Sequence, residues 1–208
     1  MTDTHNAFFY GTLMAPEVLY RVCFGTVNPP ASRHAHLKTY PAILHHFRRQ
    51  RVAGCDYPAI LPHPESTVRG TYVTGLTKAD MYRLDIFEGW SYRRKPVKVK
   101  ILTTTGDASG KGNVEGEEAE AETYVWTDEV RLLDDAEWDF RQFRREKMNF
   151  WIGAEGEAEY AEVDGAVREG TIDPTGGRGL DGSISRELEK HSMREEDTKA
   201  EVNENPHD

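Results

Sequence analysis

The sequence lacks the features that mark several large protein classes. It contains no run of about 18 apolar residues, so it predicts no transmembrane helix, and its first six residues are polar, unlike a signal peptide. Its only two cysteines, Cys23 and Cys55, are too few for a disulfide framework in 208 residues. We therefore expect a protein of the cytoplasm, a reducing compartment, with no membrane partner.

The common motifs for nucleophilic and nucleotide chemistry are also missing. The sequence has no G-x-S-x-G, no G-x-x-x-x-G-K-[ST], no H-E-x-x-H and no G-x-G-x-x-G. The sequence therefore gives no motif support for a serine-triad hydrolase, a nucleotide hydrolase, a zinc protease or a dinucleotide-dependent enzyme.

Charge is distributed very unevenly along the chain. Residues 151–208 hold 16 acidic and 6 basic residues, whereas the first 150 residues hold 20 of each. A neutral main part and an acidic end argue against a nucleic-acid partner. After residue 151 the sequence is rich in Gly, Glu, Asp and Ser, so we expect residues 152–208 to be a largely disordered acidic tail, with a short helix near 185–194.

Residues 7–151 carry nearly all the aromatic residues, and we expect them to form one domain. Apolar patterns predict strands at 7–10, 68–73, 97–102 and 122–126, and helices at 17–23, at 78–87 and from Asp134 or Asp135 to Trp151. Residues 104–120 show no periodicity and predict a flexible loop. Short strands with two or three helices indicate an α+β fold, with a small mixed β-barrel or a strongly bent sheet and flanking helices.

Two segments could supply a reactive site. In the first, the predicted strand runs through Tyr10 into Gly11 and a helix near Pro16; such a junction can leave backbone N–H groups free to bind an anion, or it can be an ordinary tight turn. In the second, Glu88 ends a predicted helix between Phe87 and Trp90. Flanking aromatics would raise its pKa toward the range of proton transfer, whereas a solvated surface Glu, or one paired with Arg93 or Arg94, would stay acidic.

A third segment is rich in histidine. Five of the eight histidines lie within thirty residues: His34, His36, His45, His46 and His63. Their spacings do not match one face of a helix and no acid flanks them, so surface strands and loops explain them better than a metal site. We expect no metal and no organic cofactor.

Short motifs in a fixed order make the chain resemble the γ-glutamylcyclotransferase-like proteins, in particular the AIG2-like branch. The resemblance covers about residues 7–151. It is carried by YGTLM at 10–14, YPAILP at 57–62, VRGTY at 68–72, LDIFEG at 84–89, YRR at 92–94 and the closing segment 138–151. The predicted 104–120 loop and the acidic tail depart from the compact family pattern.

The resemblance implies an enzyme that cyclises a γ-glutamyl amide to 5-oxoproline and releases an amine or amino acid. It implies Glu88 as the general acid and base. The implied substrate-binding residues are Tyr10, Gly11, Thr12, Leu13, Met14 and Tyr92. The partner is then a small γ-glutamyl substrate. Two alternatives stay open: a related acyl-transfer or amide-cleaving reaction, and a ligand-binding module without catalysis whose tail recruits a basic partner.

Overall fold

The computed structural model describes residues 4–170, which form a mixed α+β fold, as predicted. The strands are β1 (Thr4–Phe9), β2 (Lys38–Val52), β3 (Pro58–Thr77), β4 (Tyr92–Thr104), β5 (Val114–Trp126) and β6 (Leu133–Asp134). The α-helices are α1 (Pro16–Phe24), α2 (Ala31–His34), α3 (Lys78–Glu88), α4 (Phe140–Glu146), α5 (Met148–Ile152) and α6 (Ala161–Arg168), and 3₁₀ turns lie at Thr12–Met14, Val130–Leu132 and Ala154–Tyr160. Between residues 4 and 170, no helix has the length and apolar character needed to cross a membrane.

The strands form one six-stranded mixed sheet in the order β3-β1-β5-β4-β2-β6. An additional pairing between β2 and β3 joins the two sides of the sheet, so that five strands are paired in a closed ring. Most pairs are antiparallel; β1 and β5 run parallel and meet at Ala7 and Glu122. The long strands β2 and β3 pair along most of their length, with one bulge near His46.

Alternate residues of β1 enter two separate cores, as the period of a strand requires. Phe8 joins a cluster built from all five ring strands, and this cluster fills the inside of the ring. Ala7 and Phe9 join the second cluster, which contains residues of α1, α3, α4 and α5. The helices therefore cover the outer side of β1, and the end of β1 lies where the helices and the ring meet.

The helices predicted at 17–23 and 78–87 are confirmed with their start signals. Pro16 is the first residue of α1, where its missing N–H costs nothing. Thr77 and Asp80 form a reciprocal capping box at the start of α3. The guanidinium of buried Arg83 donates a hydrogen bond to the carbonyl of Cys23, which ties α3 to the end of α1.

The long helix predicted from Asp134 or Asp135 to Trp151 is wrong. Asp134 belongs to the short strand β6, and the helix begins only after Asp139, whose side chain accepts a hydrogen bond from the amide of Gln142. The chain then breaks at Lys147 into two short helices. Both predicted caps are followed by apolar residues at helical spacing. Asp134, the first of the two caps, pairs instead with Arg51 of β2 and so belongs to the sheet.

The flexible loop predicted at 104–120 is shorter than expected. Strand β4 continues to residue 104 and β5 starts at residue 114, so the connecting loop spans 105–113. In β5, exposed Glu118 bonds both Lys98 and Lys100 across the strand pair, while Ala121 packs inside the ring. The alternation of Glu and Ala therefore follows the period of a strand, with the acidic side chains outside and the alanines packed toward the inner cluster.

The first part of the predicted tail is ordered and packs on α1. Residues 154–160 form a 3₁₀ turn and residues 161–168 form α6. Arg21 of α1 bonds both carboxylate oxygens of Asp164 and one of Glu157, and its guanidinium lies 4.6 Å from the centre of the Tyr160 ring. The helix predicted near 185–194 lies outside the described residues.

Candidate active site

Glu88 is the last residue of α3, and its position follows from the way this helix ends. The next residue, Gly89, has φ 67°, a conformation that favours glycine, and its amide bonds the carbonyl of Asp85. The chain then turns directly into β4. Glu88 is thereby held between the helix end and the ring of strands rather than on the outer face of the helix.

A cavity of about 170 Å³ lies in front of Glu88. Its walls come from the end of β1 and the turn after it, the entry to β3, the α3–β4 junction, β5, α5 and the 3₁₀ turn after α5. Of the residues implied by the resemblance, the structure brings Tyr10, Gly11, Thr12, Leu13 and Tyr92 to this cavity together with Glu88. The one that it does not bring there is Met14, which instead lines a second cavity of about 220 Å³.

Burial, together with the smaller effect of the nearby Asp85 charge, raises the pKa of the Glu88 carboxyl from 4.5 to about 8. A helix C-terminus offers a carboxylate no compensating positive dipole. Within residues 4–170, no hydrogen bond or ion pair to this carboxyl is present. Arg94, a potential ion-pair partner in the sequence, bonds Asp85 and Glu122 instead.

Four tyrosines surround the carboxyl. Burial raises the pKa of each, and the charge of Glu88 adds to this effect; they are Tyr10, Tyr57, Tyr92 and Tyr124. Their hydroxyls therefore stay protonated at neutral pH and act as donors. The Tyr10 hydroxyl donates to the Tyr124 carbonyl at 2.7 Å, and the Tyr92 hydroxyl donates to the Pro58 carbonyl at 3.0 Å. These bonds fix the rings as walls of the cavity.

The turn after β1 presents backbone amides at the cavity. The amide of Met14 bonds the carbonyl of Gly11, closing the 3₁₀ turn. Among the described residues, the amides of Gly11, Thr12 and Leu13 have no hydrogen-bond acceptor, as expected at the start of a short helix. A Cβ on Gly11 would lie 2.9 Å from Cδ of Pro58, so any larger residue at this turn must displace the proline ring.

Sequence reasoning gave no site role to several residues that line the cavity, among them Tyr57, Pro58, Tyr124, Trp151 and Glu159. Tyr57 and Pro58 belong to the YPAILP motif, which supports the family resemblance but to which the sequence analysis assigns no function. Nothing local marks Trp151 or Glu159, because they reach the cavity only after the chain has folded back over α1.

Aromatic contacts hold the segment after α5 against the end of α3. The Phe87 ring stacks on Tyr160, with centroids 5.8 Å apart and planes at 15°, and meets Trp151 edge-on at 6.2 Å. Phe87 is the residue before Glu88. Packing in the C-terminal segment therefore supports the backbone that carries the carboxyl.

The histidines are dispersed in the structure. His45 pairs with Glu115, His46 bonds the Pro64 carbonyl and His63 accepts from or donates to Ser66. In the part of the chain between residues 4 and 170, no three His, Cys, Asp or Glu side chains form a group that could hold a metal ion.

Comparison with known proteins identifies the family. A family model described as "Gamma-glutamyl cyclotransferase, AIG2-like" matches residues 7–147. Protein AIG2 C of Arabidopsis thaliana is 30% identical over 144 residues, which cover 68% of this chain and 73% of that protein. Protein AIG2 B of Arabidopsis thaliana is 32% identical over 153 residues, covering 73% and 77%. The chain belongs to the AIG2-like gamma-glutamyl cyclotransferase family, which confirms the resemblance in the sequence.

Solved structures were also compared with this chain. A structure entitled "Gamma-glutamyl cyclotransferase" is 16% identical, with a TM-score of 0.45, and the match covers 92% of this chain and 99% of that chain.

Proposed function

We propose that this protein is a cyclotransferase that converts a γ-glutamyl amide to 5-oxoproline and releases an amine or amino acid. The observation that carries the proposal is the Glu88 carboxyl, which lies in a small cavity opposite a turn with unused backbone amides. A pKa of about 8 suits a group that must accept and return a proton near neutral pH. Family membership agrees with this reaction class.

In the proposed reaction, the α-amine of the γ-glutamyl group attacks its own γ-carbonyl carbon. A new C–N bond forms, and the carbonyl π electrons move to the oxygen. Glu88 takes a proton from the attacking nitrogen and gives it to the nitrogen of the leaving group. The original amide C–N bond then breaks, the carbonyl reforms, and Glu88 returns to its starting state.

The other groups at the cavity would bind rather than exchange protons. The amides of Gly11, Thr12 and Leu13 would receive either the substrate carboxylate or the developing oxyanion. A cavity of about 170 Å³ suits a small, folded-back substrate. Ring closure then needs little further ordering, because both reacting groups belong to one molecule.

The variant Glu88→Gln tests the proposal, because it keeps the shape of the side chain and removes its proton exchange. Purified protein is incubated with γ-glutamyl dipeptides, γ-glutamylamines and glutathione, and 5-oxoproline is followed by mass spectrometry. We expect turnover of at least one substrate by the wild type and a loss of about 10²-fold or more in the variant. Glu65→Gln, an exposed strand residue, is the matched control.

Three outcomes would contradict the proposal. Full activity of Glu88→Gln on a true substrate would reject Glu88 as the acid and base. Tight binding of 5-oxoproline with no turnover of any γ-glutamyl compound would favour a ligand-binding module. Release of a different product from an amide would favour a related amide-cleaving reaction at the same carboxyl.

The two cysteines, Cys23 and Cys55, are both free, and this fits the proposal that the protein works in the cytoplasm.

A further inference from the structure

Arg49 reaches the turn at the candidate site from the side away from Glu88. Arg49 lies in β2, opposite Ile60 of β3, and its side chain is largely buried, with 11% of its surface exposed. It does not line the cavity of Glu88; it lines the second cavity, together with Met14 and Trp138. The turn therefore separates Arg49 from the space in front of Glu88.

The guanidinium is fixed by several contacts. Nη1 donates to the carbonyl of Tyr10 at 3.0 Å and to the carbonyl of Arg69 at 3.3 Å. Nη2 donates to a carboxylate oxygen of Glu137 at 2.9 Å. The Trp138 ring covers the guanidinium, with Cζ 5.5 Å from the ring centre. A planar group held at two edges and one face has little freedom to rotate.

The bond to the Tyr10 carbonyl also determines the direction of the next amide. Tyr10 and Gly11 share one peptide unit, and no cis peptide bond occurs in the described residues. In a planar trans peptide, the C=O and the N–H point in opposite directions. Because Arg49 holds the carbonyl on its own side of the turn, the Gly11 N–H points to the other side, where the cavity and Glu88 lie.

Burying a cation to bind two backbone carbonyls has a free-energy cost. Burial disfavours the charged form of Arg49, and the Glu137 carboxylate compensates only partly. A charged donor polarises the peptide that it binds, and this makes the N–H at the other end of the same peptide a stronger donor. Such a donor is useful where negative charge has to be stabilised, and a tight turn on its own does not need it.

We propose that Arg49 is a positioning residue: it orients and polarises the Tyr10–Gly11 peptide so that the Gly11 amide donates into the cavity, toward the carboxylate or developing oxyanion of the substrate. The use of this amide toward a substrate rests on the proposed function. The orientation of the Gly11 N–H by Arg49 does not depend on any reaction.

The test compares Arg49→Met and Arg49→Lys with Arg51→Met. Arg51 is exposed, lies two residues further along β2 and has no recorded side-chain contact among the described residues, so it controls for loss of a positive charge on this strand. Lysine keeps the positive charge and can donate to one of the acceptors. The Arg49→Lys variant should therefore fold even if Arg49→Met is destabilised. Thermal unfolding identifies variants that are folded.

The first measurement is the ¹⁵N–¹H spectrum of the free proteins. We expect the Gly11 amide resonance to move in both Arg49 variants, with a smaller displacement for lysine, and to stay in place in Arg51→Met. A Gly11 resonance that is the same in the wild type and in a folded Arg49 variant would overturn the proposal, whether or not the protein turns over a γ-glutamyl compound.

The second measurement is the steady-state rate on the substrate that the wild type cyclises best. We expect kcat/KM to fall at least tenfold in Arg49→Met, to recover partly in Arg49→Lys, and to be unchanged in Arg51→Met. A fall in kcat alone indicates that the Gly11 amide meets the oxyanion, and a rise in KM alone indicates the carboxylate. A displaced Gly11 resonance with unchanged rates would reject the role of Arg49 in the reaction. Absence of turnover in the wild type would instead contradict the proposed function.

Discussion

The burial of Glu88 predicts that this single carboxyl makes the stability of the protein depend on pH. Its pKa is about 8 in the folded protein and 4.5 when the side chain is free in water. The folded state thus holds the proton more tightly than the unfolded state does. Stability is unaffected below about pH 4.5, falls as pH rises through the interval between the two values, and is lowest above about pH 8.

The size of the effect follows from this difference. At about 1.4 kcal/mol per pKa unit, the ionised carboxylate costs at most about 5 kcal/mol. Because Glu88 as a whole residue is only partly buried, we expect between about 2 and 5 kcal/mol after screening by solvent. Glu88→Gln has no proton to lose, so it should gain stability relative to the wild type by this amount between pH 5 and pH 9.

Urea unfolding of both proteins at several pH values measures the difference. Glu65→Gln, whose side chain is exposed, shows how much of the change comes from removing any one carboxylate. A difference between Glu88→Gln and wild type that stays constant within about 0.5 kcal/mol from pH 5 to pH 9 would refute the burial of the carboxyl. The candidate acid and base would then be a solvated surface group.

Two further predictions concern a wall of the cavity and the attachment of α6. Gly11→Ala should fold normally, because φ is −122° there, but its Cβ must displace the Pro58 ring, so we expect lower kcat/KM with little change in melting temperature. Normal rates would show that the turn tolerates this movement. Arg21→Met removes three hydrogen bonds to Asp164 and Glu157, and we expect α6 to detach and become sensitive to limited proteolysis, with a loss of about 2–3 kcal/mol. Cleavage as slow as in the wild type would show that these Arg21 bonds do not hold α6 in place.

Local signals in the sequence were enough to predict the core of the fold. Pro16 and the capping pair Thr77 and Asp80 mark helix starts through contacts within a few residues, and such contacts form wherever the chain ends up. The apolar strand ending at Tyr10 and the helix ending at Glu88 were found in the same way. These elements carry most of the candidate site.

The errors lie where distant parts of the chain decide the structure. Leu133 and Asp134 pair with Val52 and Arg51, and no nearby residue announces that pairing. Tyr124 approaches the site because β5 lies next to β1 and β4, an order that depends on the whole ring.

The outcome for Glu88 illustrates both kinds of information. Its place at a helix end follows from Thr77, Asp80 and Gly89, which are close in sequence. The choice between a buried carboxyl and a surface ion pair depended on Arg94, and this residue turned out to bond Asp85 and Glu122. Periodicity alone contains no information about which of several acids an arginine selects.

The helices after residue 147 have a practical consequence for anyone who shortens this protein. The family match ends at residue 147, a natural place to cut an expression fragment. A fragment cut there would lose the indole of Trp151 and the phenol of Tyr160, and with them the rings that cover Phe87. Water would then enter beside the Glu88 carboxyl, and its pKa would fall back toward 4.5, the value of an ordinary glutamate. Inactivity of such a fragment would therefore not contradict the activity proposed for the longer chain.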